Sequence, residues 1–243
     1  MPPADSPPIP FPLPRVMPAS KARAARLADA LNERYPDAVC ALDYTTPHEL
    51  LVATILSAQA TDVGVNKATP ALFRAFPTPA AYAADTPAAI EPYIKSIGLY
   101  RNKARHIHAA MTRLERDFAG QVPRTMDDLL TLPGVARKTA NVVLGNAFGI
   151  NVGFVVDTHI ARLAVRFRLA PAGATVATIE KRLMALFERD RWCLLSHQII
   201  QHGRLVCKAR GWLCEQDAIC REFCVNGADK RRSDAATKRR SAD

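Results

Sequence analysis

Residues 128–148 read DLLTLPGVARKTANVVLGNAF, two helical runs around a Pro-Gly turn. Thr125, with Asp128 three residues on, marks the start of a short helix that ends near Leu132. Pro133 stops that helix, Gly134 permits a tight backbone, and a second helix begins near Arg137. Helix, short turn and helix over 125–148 form the pattern of a helix-hairpin-helix. The N–H groups of Gly134, Val135, Ala136 and Arg137 then lie at a helix N-terminus. There the helix dipole and unpaired donors make an anion site suited to a phosphate. Contacts of that kind hold position without reading base sequence. Taken alone, the string also fits an ordinary tight connection between two helices.

Helical signals continue on both sides. Leu27 and Leu31 with Ala24 and Ala28 form one stripe over 20–35. Thr-Pro recurs at 46–47, 69–70, 78–79 and 86–87. Threonine is a good N-cap and proline is tolerated at the first helical position. Glu49 completes a capping box with Thr46. Helices are expected at about 47–58, 79–84, 87–96 and 101–118. Pro70 should kink or break any helix that runs through it. The one strand candidate is Gly153 to Val156. The fold class is all-α.

The ends differ from the middle. Eight of the 18 prolines fall in residues 1–18, which reads as a disordered Pro-rich tail. Residues 229–243 carry six basic and three acidic side chains and read as a disordered basic tail. The net charge is +10. The first 18 residues hold only Asp5 and Arg15, so seven of those ten charges belong to residues 19–228. That balance points to a polyanionic partner, nucleic acid first, or simply to a basic protein. No apolar run approaches the roughly 20 residues of a membrane span, and the N-terminus lacks the pattern of a secretory signal. The expected place is the cytoplasm, associated with the nucleoid, and the expected state is a monomer without membrane contact.

Two residues suggest chemistry. Lys138 lies in the first turn of the second hairpin helix, where partial burial is expected. A lysine that can shed its proton is a nucleophile for Schiff-base chemistry; one that cannot is a phosphate contact. Asp157 ends an apolar run in VVDTHIARLAVR (155–166) and starts a helix. It reads as an N-cap, and a capping carboxylate held at a cleft edge can also stabilise positive charge or move protons. Four of the six cysteines, Cys207, Cys214, Cys220 and Cys224, fall within 18 residues and read as a metal site. Four thiolates suit a [4Fe–4S] cluster or a structural zinc ion. Cys40 and Cys193 stand apart as buried thiols. Lys208, Arg210 and Arg221 form a basic loop among the ligands, suited to a nucleic-acid backbone or to solvent.

Six segments taken together resemble the endonuclease III family of bifunctional DNA glycosylases, in order over residues 20–226. They are LSAQATD (56–62), VNKAT (65–69), IGLY (97–100), LPGVARKTANVVL (132–144), VDTHIAR (156–162) and HGR with its cysteines (202–224). The resemblance implies two helical domains. A six-helix barrel carrying the hairpin would cover 40–150. A cluster domain with a [4Fe–4S] cofactor would combine 19–39 with 151–228, and the active cleft would lie between the two. It implies an enzyme of base excision repair acting on double-stranded DNA that contains oxidised pyrimidines or abasic sites. Lys138 would attack the sugar, and Asp157 would assist. The damaged nucleotide must leave the stack, and by resemblance Gln59 and Leu99 fill the gap; a surface turn and core packing are their plainer readings. Asp62 would cap the next helix at the pocket edge, and His159 would touch phosphate or the pocket.

Two further departures stand out besides Pro70. Ala136 replaces the second glycine of the usual GVG, which is tolerable if its backbone is not left-handed. The cysteine spacing is C-x6-C-x5-C-x3-C instead of C-x6-C-x2-C-x5-C, with Asp217 where the third cysteine would fall. Two alternatives remain: a monofunctional adenine or mismatch glycosylase of the same fold, against which Lys138 argues, and a non-catalytic hairpin module that only binds DNA.

Overall fold

The computed structural model describes residues 7–226. Among them the regular structure is helical, with no strand. Gly153 to Val156, the strand candidate, is irregular and buried, because no neighbouring strand is there to accept its ladder. The described residues contain no helix long and apolar enough to cross a membrane. The chain divides into two compact units.

The unit Cys40–Val152 holds α2 (Pro47–Ser57), α3 (Asp62–Ala75), α4 (Pro79–Ala83), α5 (Pro87–Ile94), α6 (Tyr100–Phe118), α7 (Met126–Leu130) and α8 (Arg137–Phe148). Three Thr-Pro steps start helices as their chemistry requires. The Thr46 hydroxyl accepts from Glu49 N–H in a full capping box and Thr78 accepts from Ala81 N–H, while Thr86 is the N-cap of α5 by backbone alone, its side chain making no cap bond. The fourth does not. The helix α3 runs unbroken through Pro70, so the expected break is absent. Thr69 faces the core while Pro70 is exposed. On that outer side water can serve the carbonyl that the missing N–H leaves unpaired. The seven-helix count exceeds the six expected, and α4 and α7 are five-residue turns. Helix α6 organises the unit: Ala104, Ile107, Ala110, Met111 and Leu114 recur at helical spacing and are buried, with α4 and α5 packed on them.

The other unit begins before residue 18, contrary to the reading of 1–18 as a loose tail. Residues 7–17 form an irregular strap whose Ile9, Phe11, Leu13 and Val16 pack against the core. The Arg189 guanidinium donates to Pro7 O at 2.6 Å, and the Lys181 ammonium lies 4.7 Å over the Phe11 ring. Alternation of apolar residues with prolines lets an extended chain lay one side on a surface, which proline content alone hides. Residues 1–6 and the expected tail 229–243 lie outside the described residues. The rest of the unit is α1 (Pro18–Arg34), α9 (Thr158–Arg166), α10 (Val176–Leu186), α11 (Trp192–Leu205) and α12 (Ala218–Phe223). Helix α1 buries Ala24, Leu27, Ala28 and Leu31 against α10, α11 and α12. Arg23 fastens two helix ends by donating to Phe167 O and Phe223 O, at 2.6 and 2.8 Å.

Candidate active site

The hairpin is built as the turn chemistry requires. Thr125 caps α7 by accepting from Asp128 N–H, and Val135 N–H closes the turn onto Leu132 O at 3.1 Å. Gly134 has φ +80°, and a Cβ there would stand 2.8 Å from Cβ of His106, so both backbone and space demand glycine. Ala136 is the N-cap of α8 at φ −99° and ψ 169°, an extended conformation that any residue adopts. The alanine that departs from GVG therefore costs no strain. Its side chain supplies no cap hydrogen bond. Lys138 follows in the first turn and is exposed, not partly buried as expected, because it points off the face that Ala140, Val143 and Leu144 bury. Arg137 is half-buried beside it.

In the same unit Gln59 and Leu99 share a rare backbone. Both are exposed and left-handed, at φ 56° and 58°. Such conformations cost non-glycine residues about 1–3 kcal/mol and cluster at functional positions. Leu99 is 61% exposed, which removes core packing as its explanation. Asp62 does not cap α3. Thr61 does, accepting from Gly64 N–H, while Asp62 occupies the first turn, where its charge meets the positive helix end. Cys40 is half-buried, not a fully buried thiol.

In the other unit Asp157 is the N-cap of α9, its carboxylate accepting from Ile160 N–H at 2.8 Å. That bond fixes the side chain in one orientation. His159 is half-buried, with Nδ1 3.2 Å from the Arg162 guanidinium. Burial pushes its pKa down, Asp157 pulls it up, and Arg162 and Arg204 push it down further. Gly203 of α11 lets this corner close, since a Cβ there would meet Arg162 at 3.1 Å and His159 at 3.2 Å.

Cys207, Cys214, Cys220 and Cys224 are all buried, and their four Sγ atoms lie within 4.8 Å of one another. The odd spacing is resolved by α12, which places Cys220 and Cys224 one turn apart on one face. Asp217 takes the cap of that helix, accepting from Cys220 N–H at 2.9 Å, and holds Cys220 in the group. Four thiols this close cannot all ionise unaided. Cys207 is held down at about 2 by hydrogen bonds from Cys220 and Cys224, with Arg166 adding to them. Cys220 is pushed strongly up by the same contact with Cys207, and burial pushes Cys214 up to about 12. Only a shared cation stabilises four thiolates here, so the donor set fits a metal site. Cys193 is half-buried, apart from this group.

Two neighbours of the cysteines escaped the sequence reading. The Arg166 guanidinium stands 3.3 Å from Cys207 Sγ, and His202 Nε2 stands 3.2 Å from Cys220 Sγ. His202 is fully buried, and its Nδ1 meets the Tyr35 hydroxyl at 3.0 Å. One tautomer serves both bonds, with Tyr35 O–H donating to Nδ1 and Nε2–H donating to the sulfur. Burial lowers the pKa of His202, which keeps it neutral. The HGR string at 202–204 was the only signal, and Tyr35 lies too far away in sequence to suggest the pair. Lys208, Arg210 and Arg221 are exposed around this group, as are Trp212 and Leu213.

Residues 52–189 match the family model of the HhH-GPD superfamily base excision DNA repair proteins. Endonuclease III of Synechocystis sp. is 51% identical over 200 residues, covering 82% of this chain and 91% of that protein. Endonuclease III of Escherichia coli K12 is 42% identical over 205 residues, covering 84% and 96%. A solved structure of a trapped endonuclease III–DNA covalent intermediate superposes with a TM-score of 0.81 at 40% identity, covering 87% of this chain and 98% of that one. A thermostable thymine-DNA glycosylase has the same fold, with a TM-score of 0.77 at 19% identity. The chain belongs to the endonuclease III family of base excision DNA repair glycosylase/lyases.

Proposed function

We propose that this enzyme removes oxidised pyrimidines from double-stranded DNA and cuts the resulting abasic site, as a monomer, with Lys138 as nucleophile. The observation that carries the reading is Lys138 itself, an exposed amine directly after a phosphate-suited hairpin. The N–H groups of Gly134, Ala136 and Arg137 hold a backbone phosphate and register the duplex, whereas the expected Val135 donor is spent inside the turn on Leu132 O. Gln59 and Leu99 enter the stack once the damaged nucleotide has left it. The amide bonds the orphaned base, and the leucine wedges between base pairs. Asp62 borders the pocket, and His159 contacts phosphate.

The lysine Nζ forms a bond to the sugar C1′ while the C1′–base bond breaks, and the base departs with a proton. Ring opening gives the imine. Loss of a C2′ proton then expels the 3′ phosphate and cuts the strand by β-elimination. Asp157, its carboxylate fixed by Ile160 N–H, stabilises the positive charge that develops on the sugar and moves protons to and from the amine.

The two units take the roles of a barrel domain with the hairpin and a cluster domain. Cys207, Cys214, Cys220 and Cys224 would hold a [4Fe–4S] cluster, which ties the C-terminal loop to α11 and supports the basic residues around it. A second reading has an observation of its own. Sγ separations of 3.5, 3.9 and 4.0 Å also suit one tetrahedral zinc ion. Elemental analysis of purified protein decides: iron and sulfide with broad visible absorbance support the cluster, and one zinc per chain overturns it.

Incubation with duplexes carrying thymine glycol or 8-oxoguanine tests the function. The expected result is a nick at thymine glycol without added base. Base release without a nick would make the enzyme monofunctional, and faster action on 8-oxoguanine would overturn the substrate class.

A further inference from the structure

Lys103 is a buried cation that the mechanism above does not use. It lies in the first turn of α6 and is only 5% exposed. Its ammonium donates to Leu56 O at 2.8 Å and to Ala58 O at 2.6 Å. Those carbonyls end α2, where a positive charge meets the negative end of the helix dipole. Gln59 follows at once, in its left-handed conformation. The backbone N–H of Lys103 donates to Leu99 O at 3.0 Å, the first bond of α6, whose N-cap is the left-handed Leu99. One residue therefore ties the Gln59 turn, through its side chain, to the first turn of the helix that Leu99 starts. Burying an ammonium costs free energy unless strong partners meet it. Burial does lower its pKa.

We infer that Lys103 is a positioning residue that locks the Gln59 and Leu99 turns to each other, so that the two side chains enter the DNA stack as one preorganised pair. This rests on the reading of Gln59 and Leu99 as the wedges. Strained turns relax unless the surroundings over-determine them. A neutral side chain at 103 leaves two helix-end carbonyls without their charged donor and frees the Gln59 turn.

The test uses the full-length protein, with Lys103→Met as the neutral variant that keeps an apolar stem and Lys103→Gln as a neutral one of equal reach that keeps donors. Hydrogen exchange reads the turns, and 2-aminopurine opposite a thymine glycol reads wedge entry by fluorescence. Lys103→Met is expected to speed exchange in residues 56–61 and 97–102 while α8 keeps the parental rate. It should weaken the fluorescence change and lesion processing by roughly tenfold to a hundredfold, the scale of a misplaced binding group. Lys103→Gln should fall between. Gln59→Ala and Leu99→Ala separate the two readings. If both resemble the parent, the wedge assignment fails, and the exchange data alone judge the lock. If they lose the signal while Lys103→Met keeps parental exchange and fluorescence, the lock is overturned. Uniformly faster exchange across the unit would also overturn it, because Lys103 would then only add stability.

Discussion

Gly134 shows how much one position can demand. Its φ of +80° excludes ordinary side chains, and its missing Cβ leaves room for His106. Gly134→Ala should therefore cost about 1–2 kcal/mol from the backbone alone, and more from the clash. A lower unfolding midpoint and weaker duplex binding are expected. His106→Ala in the same chain should restore only part of the midpoint, because it relieves the contact but not the dihedral. A parental midpoint for Gly134→Ala would remove the constraint. Asp157 is more modest structurally, as one cap, so Asp157→Asn should lose about 1 kcal/mol or less. Its expected effect is on base release, which should fall by two orders of magnitude or so. Stopped assays on thymine glycol duplex measure that, and undiminished release would take Asp157 out of the mechanism.

At the scale of elements, caps were legible and cores were not needed to find them. Thr46 with Glu49 states its helix start in four letters, and Thr78 with Pro79 in two. Thr69-Pro70 uses the same letters and fails, because Thr69 is needed in the core and the helix continues past it. Burial of Val65, Ala68, Thr69 and Leu72 on one face outweighs the lost hydrogen bond. Pro70→Ala should then stabilise the protein, by up to about 3 kcal/mol. Chemical denaturation checks this, and a lowered midpoint would mean that Pro70 is favoured locally. The strap at 7–17 was hidden for the opposite reason. Its prolines announce an extended chain, while the surface that receives Phe11 and Leu13 forms only after folding. Deleting residues 1–13 should lower the midpoint measurably, and an unchanged midpoint would make the strap incidental.

Across the whole molecule, candidate residues could be read wherever they lay within one contiguous motif. Lys138 with its hairpin, Asp157 with α9, and the four cysteines all belong to that group. Lys103, His202 and Arg166 could not be found that way, since their meaning comes from partners 18 to 167 residues distant. Burial sets a pH dependence on stability as well. His48 is pushed down mainly by burial, with Glu49 pulling it back, and His197 is pushed down by burial. An unfolded imidazole titrates near about 6.5. Below that pH the unfolded chain takes up protons that these folded histidines resist, so stability present above about 6.5 is lost as the pH falls. Urea midpoints should be flat between about pH 7 and 8 and decline below that range. A midpoint that rises on acidification would contradict the half-buried neutral histidines.

Lys138 is the proposed nucleophile, forming a covalent bond to DNA. Borohydride reduction during reaction with an abasic-site duplex traps that imine as a stable adduct. The parent protein should yield a protein–DNA band whose crosslinked peptide contains Lys138, and Lys138→Ala should yield none. No adduct from the parent, or equal trapping by Lys138→Ala, would contradict the account.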